Sequence, residues 1–228
     1  MNICIIPARG GSKRIPRKNI KNFCGKPIIT WSIEAALNCT SFGRVIVSTD
    51  DDEIAEISRQ YGAEVPFKRL KSLSDDYSST IPVIKNAIEW LEMNNEKVDS
   101  VCCLYPTAPF IEESYIEEGL KKLIDNNASY SISVTSFPYP IQRAIKFTKN
   151  ERLKMFFPEN INKRSQDLEK SFHDAGQFYW GKRSAWIKEE RILDQNTVPV
   201  YIPRYKVQDI DNMEDWIQAE RIFNKLRY

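Results

Sequence analysis

The chain of 228 residues has 42% hydrophobic and 28% charged side chains, which is ordinary for a globular protein and enough for one buried core. Its formal net charge of +2 is too balanced for a general nucleic-acid binder. No run approaches the ~20 apolar residues of a membrane span, and the first apolar run is too short for a signal peptide. We therefore expect a cytoplasmic protein without a nucleic-acid or membrane partner.

The first nineteen residues predict a buried strand that ends in a basic loop. Residues 1–8 are mostly apolar, and residues 9–19 hold two adjacent glycines, a serine and five cations. Glycines let backbone N–H groups approach an anion closely, and cations balance phosphate charge. A solvated surface loop is the alternative, but ligands of open α/β sheets bind beyond the carboxyl ends of strands. The loop matches neither the P-loop nor the dinucleotide motif.

The following segments alternate between predicted helices and strands. Apolar residues at helical spacing predict helices over 27–37, about 53–61, 81–93, 112–124 and 213–226. Short apolar or β-branched runs predict strands at 44–48, 99–105 and 130–135, and residues 171–180 return to the core. This alternation predicts an α/β fold with a mostly parallel sheet covered on both faces, in a single domain over 1–228.

Two acidic groups offer candidate metal ligands. Asp50, Asp51 and Asp52 follow a strand, but acids at this place also cap a helix and meet the positive end of its dipole, and we favour the cap. Asp209 and Asp211 lie two residues apart, so both carboxylates point to one face of an extended segment. A magnesium site and a turn or helix cap are equally compatible with that second spacing.

Residues 6–19, Ile-Pro-Ala-Arg-Gly-Gly-Ser-Lys-Arg-Ile-Pro-Arg-Lys-Asn, resemble the N-terminal motif of the nonulosonic-acid cytidylyltransferases, the family of the CMP-sialic acid synthetases. The resemblance implies a three-layer α/β/α, Rossmann-like fold. It also implies transfer of CMP from CTP to the anomeric hydroxyl of a nine-carbon sugar acid, with release of pyrophosphate and use of Mg²⁺. Asp209 and Asp211 match the family's catalytic aspartate pair, which favours the magnesium interpretation.

The resemblance assigns roles to residues of this chain. The predicted catalytic residues are Arg9, Lys13, Lys18, Asp209 and Asp211, of which the two aspartates would hold the metal. The predicted nucleotide-binding residues are Ala8, Arg9, Gly10, Gly11, Ser12, Lys13, Asn19, Arg69 and Thr80. The polar run at 73–80 resembles a family segment that helps to hold the cytidine, although a Ser/Thr cluster before a helix is commonly its cap.

The predicted sugar-binding residues are Tyr105, Thr107, Arg164, His173 and Gln177. Tyr105 stands where the family has a glutamine, and His173 stands where sialic-acid enzymes have an arginine. The run at 172–179 is similar to the pseudaminic acid branch, so pseudaminic acid is the favoured substrate. N-acetylneuraminic and legionaminic acid are the alternatives. The resemblance leaves the general base unassigned.

Residues 137–170 predict an extended excursion from the sheet. Prolines alternate there with aromatic residues, and a turn is expected at 149–151 between two extended pieces. Exposed apolar patches need a partner, so the excursion is predicted to be a lid or an oligomer contact. The resemblance implies a homodimer in which part of this region covers the partner's active site. A non-catalytic nucleotide or RNA binder is the rival hypothesis, but the basic loop lacks the aromatic residues that such binders interleave with cations.

Overall fold

The computed structural model describes residues 1–75 and 78–227 and shows a six-stranded sheet with helices on both faces. The sheet strands are β1 (Asn2–Pro7), β4 (Arg44–Ser48), β5 (Ser100–Leu104), β6 (Tyr130–Ser136), β9 (Phe172–Lys182) and β10 (Thr197–Tyr201). The helices are α1 (Ile28–Asn38), α2 (Asp52–Gln60), α3 (Thr80–Met93), α4 (Glu113–Asp125), α5 (Arg183–Ile187) and α6 (Met213–Arg227). Two short hairpins pair β2 (Asn22–Phe23) with β3 (Lys26–Pro27) and β7 (Ile145–Phe147) with β8 (Leu153–Met155).

The strand order is β10-β6-β9-β5-β1-β4, with β1 between β4 and β5 and parallel to both. β10 is parallel to β6, whereas β9 is antiparallel to β5 and to β6. The expected α/β fold with a mostly parallel sheet is therefore confirmed, with β9 as the strand of opposite direction. The segment between β6 and β9 holds a hairpin and 3₁₀ turns but no α-helix, and parallel pairing normally needs a helical crossover.

Alternating side chains of β1 supply both faces of the core. Cys4 and Ile6 pack with α1 and α4 residues on one face, while Ile3 and Ile5 pack with α3 and α5 residues on the other. All four side chains are fully buried. A strand that is apolar on both faces is typical of a sheet covered by helices on both sides.

The five cysteines are present as thiols rather than disulfides. Cys4, Cys102 and Cys103 are fully buried, and burial raises the pKa of each thiol well above its usual value. A thiol that stays protonated is a poor nucleophile, so we assign these cysteines to packing in the core rather than to chemistry.

A third apolar cluster fixes α6 against the basic loop. Phe23 makes edge contacts with Trp216 and Phe223, at ring-centroid distances of 5.4 and 5.3 Å. Ile15 lies in the middle of the basic loop and belongs to the same cluster, with 1% of its surface exposed. The loop and the start of α6 are thus held together by packing of large side chains, the kind of contact whose truncation costs about 3–5 kcal/mol.

The segment between β6 and β9 projects from the sheet and carries the β7–β8 hairpin. The expected turn at 149–151 separates these two strands. Apolar side chains stand out to solvent on the hairpin, with Phe147 78%, Leu153 64% and Ile145 56% exposed. The proposed contact with a second copy stays a prediction. Within 1–75 and 78–227, no helix has both the length and the apolar character needed to cross a membrane.

Candidate active site

A cleft of about 420 Å³ opens beyond the carboxyl ends of β1 and β5. Asp211 contributes a carboxylate to it, and Pro106 and Val83 contribute apolar surface. Positive charge on low-dielectric walls concentrates anions, so this cleft suits a polyphosphate. The cations that line it are Arg9, Lys13, Arg14, Lys18 and Arg69.

The backbone of the basic loop is tied to the end of β4. The Gly10 N–H donates to Asp50 Oδ1 at 3.0 Å, and Asn19 Nδ2 donates to the Arg9 carbonyl at 3.0 Å. A Cβ at Gly10 would lie 2.6 Å from Asp51 Oδ2, so glycine is required for this close approach. The Gly10 N–H was expected to face phosphate, but in this structure Asp50 accepts it.

Arg17 closes the loop onto the start of α2. Its backbone is left-handed, with φ 56°, and its guanidinium donates to both carboxylate oxygens of Asp51 at 2.5 and 2.9 Å. Glu53 accepts a further bond at 2.5 Å. Asp51 also accepts the Ile54 N–H at 3.0 Å, so the expected cap is present. Hydrogen bonding to Arg17 holds the pKa of Asp51 below its usual value, which keeps this carboxylate charged.

Lys18 joins the loop to the acidic pair. Its Nζ donates to the Ile210 carbonyl, between the two aspartates, at 2.5 Å. Burial lowers the pKa of Lys18, and the negative charges of Asp211 and Asp209 oppose that shift. The basic loop and the aspartate pair, which are far apart in sequence, therefore meet in one cleft.

Asp209 and Asp211 differ in their surroundings. Asp211 Oδ1 pairs with Arg14 Nη2 at 2.6 Å. Burial and the charge of Asp211 raise the pKa of Asp209, while Lys18 lowers it. The two carboxylates thus repel each other beside the half-buried Lys18, an arrangement that a divalent cation would relieve.

The cap of α6 is made by other residues than the aspartate pair. Asn212 Oδ1 accepts the N–H groups of Glu214 and Asp215 at 2.8 and 3.0 Å. Asp215 Oδ2 in turn accepts the N–H groups of Asp211 and Asn212, both at 3.0 Å. The spacing of Asp209 and Asp211 left a magnesium site and a helix cap open. Because Asn212 and Asp215 cap α6, the carboxylates of Asp209 and Asp211 remain available to a ligand.

The donor set fits Mg²⁺ better than a metal held by protein alone. Among the residues that the structure describes, no cluster of three or more His, Cys, Asp or Glu side chains is arranged to hold a metal. Mg²⁺ typically binds through one or two carboxylates and completes its octahedron with water and substrate phosphates. Asp209 and Asp211 supply those two carboxylates.

Arg69 and Thr80 line the same cleft as Asp211. Arg69 is 5% exposed and donates through Nε to Ser48 Oγ at 3.1 Å and through Nη2 to the Ser48 carbonyl. Burial lowers the pKa of Arg69 to about 10, so it stays charged at neutral pH. Thr80 is the first residue of α3, and its Oγ1 lies 3.2 Å from the Tyr105 hydroxyl.

The expected Ser/Thr cap of α3 is not formed by its first flanking residue. Ser79 occupies the N-cap position without a side-chain hydrogen bond to the helix. Ser78 instead bonds to Asp75, at 2.7 Å through both its N–H and its hydroxyl. Asp76 and Tyr77, which belong to the predicted cytidine segment at 73–80, lie outside the described residues.

The cleft brings together ten of the residues predicted from the sequence. Asp209 lies beside it, next to Lys18, and Ala8, Gly10 and Gly11 form the adjoining backbone. The ten are Arg9, Ser12, Lys13, Lys18, Asn19, Arg69, Thr80, Tyr105, Thr107 and Asp211.

Three predicted sugar-binding residues lie outside the cleft. Gln177 is buried on β9 and donates to the Lys206 carbonyl at 2.7 Å. His173 lies at the start of β9, where its ring centroid is 4.8 Å from that of Phe137, and it lines two other cavities. Arg164 is exposed on the excursion. Their roles stay predictions, and the role predicted for Arg164 involves a second chain.

Sequence reasoning left several residues of this region without a role. Arg14, which pairs with Asp211, was recognised only as one of five cations. Asp50 was noted at the end of a strand, but its bond to the loop backbone could not be foreseen. Tyr179, which donates to Asp174 and meets the Tyr105 ring edge to face at 5.5 Å, had no signal beyond a polar pattern on a strand.

Comparison with known proteins decides the class. A family model described as Cytidylyltransferase matches residues 3–228. The chain belongs to the cytidylyltransferase family. The predicted resemblance and the predicted enzyme class, a nucleotidyltransferase, are thereby confirmed.

Curated relatives of this cytidylyltransferase cover its full length. Pseudaminic acid cytidylyltransferase of Campylobacter jejuni is 47% identical over 227 residues, which is 100% of this chain and 97% of that protein. CMP-N,N'-diacetyllegionaminic acid synthase of Legionella pneumophila is 30% identical over 96% of this chain and 95% of that protein. N-acylneuraminate cytidylyltransferase B of Danio rerio is 35% identical over 95% of this chain but only 50% of that longer protein.

Solved structures agree on the fold. CMP:2-keto-3-deoxy-manno-octonic acid synthetase, solved in complex with CTP, superposes with a TM-score of 0.74 over 98% of each chain at 15% identity. A 4-diphosphocytidyl-2C-methyl-D-erythritol synthase from Anaerococcus prevotii gives a TM-score of 0.63 at 14% identity. At these identities the likeness supports the nucleotidyltransferase fold alone.

Proposed function

We propose that this cytidylyltransferase transfers CMP from CTP to the anomeric hydroxyl of a nine-carbon nonulosonic acid, with pseudaminic acid as the substrate. The observation that carries the proposal is the junction at Lys18, where a five-cation cleft meets the carboxylates of Asp209 and Asp211. A triphosphate and a metal need those opposite charges within one cleft. The 47% identity to the Campylobacter pseudaminic acid enzyme supports the choice of sugar.

In this reaction, the anomeric oxygen of the sugar forms a bond to the α-phosphorus of CTP. The bond from that phosphorus to the oxygen bridging to the β-phosphate breaks, and pyrophosphate leaves with the bonding electrons. Arg9, Lys13 and Lys18 line the cleft and would balance the charge of the triphosphate and of the leaving pyrophosphate. Arg69 and Asn19 line the same cleft and are assigned to the nucleoside. The proton acceptor for the sugar hydroxyl is not assigned.

Mg²⁺ is part of the proposal. Asp209 and Asp211 would hold it, and when bound it would neutralise phosphate charge and acidify the attacking hydroxyl. Arg14, which now pairs with Asp211, would then be released toward the phosphates. We expect removal of divalent cations with EDTA to abolish pyrophosphate release and Mg²⁺ to restore it. Full activity in EDTA would contradict a metal site at the pair.

The test of the proposed function is a substrate panel. The protein is incubated with Mg²⁺, CTP and pseudaminic, legionaminic or N-acetylneuraminic acid, and pyrophosphate release is measured. We expect the highest kcat/KM with pseudaminic acid. Activity with only N-acetylneuraminic or legionaminic acid would change the assigned sugar substrate and leave the proposed reaction unchanged. The absence of pyrophosphate release with all three acids would refute the proposed reaction.

The second candidate sugars rest on the more distant relatives, which act on legionaminic and N-acylneuraminic acids by name. A non-catalytic nucleotide or RNA binder is disfavoured by Asp209 and Asp211, because paired carboxylates repel a polyanion without metal. If the protein is a non-catalytic binder, Asp209→Ala should leave nucleotide affinity unchanged or increase it in the absence of metal. The wild-type protein would then show no turnover. For the proposed enzyme, the same substitution lowers kcat by orders of magnitude.

We also propose that the protein is a homodimer in the cytoplasm. The support for dimerisation is the β7–β8 hairpin, whose side chains Ile145, Phe147 and Leu153 would leave water if a second copy packed on it. Further exposed aromatic residues, Phe156 and Phe157, lie on the same excursion. The cytoplasmic location is proposed from the sequence, and cell fractionation would test it.

A further inference from the structure

Gln177 joins two segments that meet at the cleft. Its backbone carbonyl accepts the N–H of Tyr105, which follows β5 and lines the cleft, at 2.9 Å. Its side-chain Nε2 donates to the carbonyl of Lys206 at 2.7 Å. Gln177 is 3% exposed, so water has little access to either bond. One buried residue therefore ties the wall of the cleft to the segment that runs from Lys206 toward Asp209.

Lys206 is also held by its side chain. Its Nζ pairs with the Glu112 carboxylate at 2.7 Å and lies 5.3 Å from the centre of the Tyr115 ring. Glu112 is the N-cap residue of α4, which follows the loop after β5. Lys206 thus has two independent anchors, a main-chain bond to β9 and an ion pair to the start of α4.

The segment that carries the acidic pair is fixed at both ends. Downstream, Asp215 Oδ2 accepts the N–H of Asp211 at 3.0 Å. Upstream, the two anchors of Lys206 lie three residues before Asp209. Three residues span at most about 11 Å, so a displacement of Lys206 is transmitted to Asp209 over a short length of chain.

We propose that Gln177 and Lys206 are positioning residues for the acidic pair, which hold the segment carrying Asp209 against the cleft, where Asp209 would share a divalent cation with Asp211. This gives Gln177 a role other than the sugar contact that the resemblance implies. The inference rests on the proposed function, because it takes Mg²⁺ to bind at the pair. It goes beyond that function by assigning a role to Lys206 and to its ion pair with Glu112.

The test measures the Mg²⁺ concentration that gives half-maximal activity, together with the KM of the sugar acid that the wild-type protein uses. Gln177→Met removes the donor to the Lys206 carbonyl and keeps the length of the side chain. We expect it to raise the half-saturating Mg²⁺ concentration about five- to tenfold, the effect of one buried hydrogen bond, and to leave the KM of the sugar within about twofold. Gln142→Met is the matched control, because Gln142 Nε2 donates in the same way to the Glu169 carbonyl on the excursion.

A readout without turnover separates positioning of the pair from an effect on the sugar. With CTP bound and no sugar acid present, Mn²⁺ binding is followed through the electron paramagnetic resonance signal of the free ion. Gln177→Met should weaken Mn²⁺ binding by the same factor as it raises the Mg²⁺ requirement, and Gln142→Met should leave it unchanged. A higher KM of the sugar with unchanged Mn²⁺ binding would overturn the proposal and favour a direct sugar contact by Gln177.

The ion pair offers a second variant, which keeps the test valid if Gln177→Met fails to fold. Lys206→Met removes the pair with Glu112 and is expected to raise the half-saturating Mg²⁺ concentration about two- to threefold, as for a partly exposed ion pair. Lys206→Arg keeps the charge and should restore the wild-type requirement. Lys85→Met is the control, because Lys85 forms an ion pair of similar length with Glu189.

The outcomes distinguish the positioning role from the proposed function. Equal shifts in Lys206→Met and Lys85→Met would contradict a role specific to Lys206. If the wild type releases no pyrophosphate with any of the sugar acids, the proposed function itself is rejected. If the wild type is active and the Gln177 and Lys206 variants keep its Mg²⁺ requirement and Mn²⁺ affinity, only the positioning role is rejected.

Discussion

At Gly10 the basic loop comes so close to α2 that a methyl group has no room. The nearest atom to an added Cβ is Asp51 Oδ2, and Asp51 is held by Arg17 and by the helix it caps. We expect Gly10→Ala to push the loop off its position and to weaken CTP binding about tenfold, as measured by calorimetry. Gly11→Ala is the matched control, because nothing lies within 4 Å of its added Cβ. Equal effects of both variants would show that loop position is not the cause.

Lys18 predicts an alkaline limit to activity. Burial lowers its pKa, so it loses its charge at a lower pH than a free lysine does. Since the protonated form pairs with phosphate, kcat/KM for CTP should fall as pH rises through that pKa and be unaffected by Lys18 at lower pH. In Lys18→Arg the side chain stays charged, so the alkaline fall should move to higher pH even if the maximum is reduced. A pH profile with an unchanged alkaline limb would assign it to another group.

Single-residue roles divide into those that sequence can predict and those that need the fold. Arg9, Lys13 and Lys18 were foreseeable because cations beside glycines after a strand have few other uses. The bond of Asp50 to Gly10 and the pairing of Arg14 with Asp211 were not, because they join segments that only the packed sheet brings together. Gly10 was predicted to act through its N–H, whereas the structure shows that its missing side chain is what permits the close approach to Asp51.

Helix α6 is the element that places the acidic pair. Its cap residue Asp215 accepts the N–H groups of Asp211 and Asn212, and its Trp216 is 2% exposed in the cluster with Phe23. The helix is thus fastened at the end that follows Asp209 and Asp211. Sequence periodicity predicted the helix, while the identity of its capping residues came only from the structure.

We expect Asp215→Ala to release the acidic pair, Asp209 and Asp211, from its position at the start of α6. Loss of a helix cap costs about 1 kcal/mol of stability, which denaturant unfolding can measure. Because the Asp211 N–H also loses its acceptor, we expect kcat/KM for CTP to fall about tenfold at a Mg²⁺ concentration near saturation for the wild type. Glu214→Ala changes the same helical turn at an exposed residue that contributes only its N–H to the cap. If both variants lose activity alike, the cap is not what positions Asp211.

The sequence predicted where the strands lie better than it predicted the direction in which they run. Apolar runs located β1, β4, β5 and β6, since strands buried on both faces read as continuous hydrophobic segments. The antiparallel course of β9 was not evident, because its residues alternate in exposure at one end and are fully buried at the other. That course places Tyr179 beside Cys103 of β5 and Asp174 beside Val134 of β6.

At the scale of the whole molecule, the position of β1 between β4 and β5 explains why one cleft collects residues from distant segments. Parallel neighbours deliver their following loops to the same edge of the sheet, so the loops after β1 and β5 meet there. The excursion lies outside this arrangement, and with it Arg164. The resemblance that assigns Arg164 to the sugar therefore requires the second subunit to supply it.

Mixed dimers test that requirement. Lys18→Ala disables the cleft of its own chain, and Arg164→Ala disables the contribution to the partner's cleft, so each variant alone is expected to be nearly inactive. When both are co-expressed, a mixed dimer contains one cleft with an intact Lys18 and an intact Arg164 from the opposite chain. About half of the dimers are mixed and one site in two is restored, which predicts about a quarter of wild-type activity. Sedimentation measures whether a dimer forms, and a co-expressed pair no more active than its parents would place Arg164 outside the site.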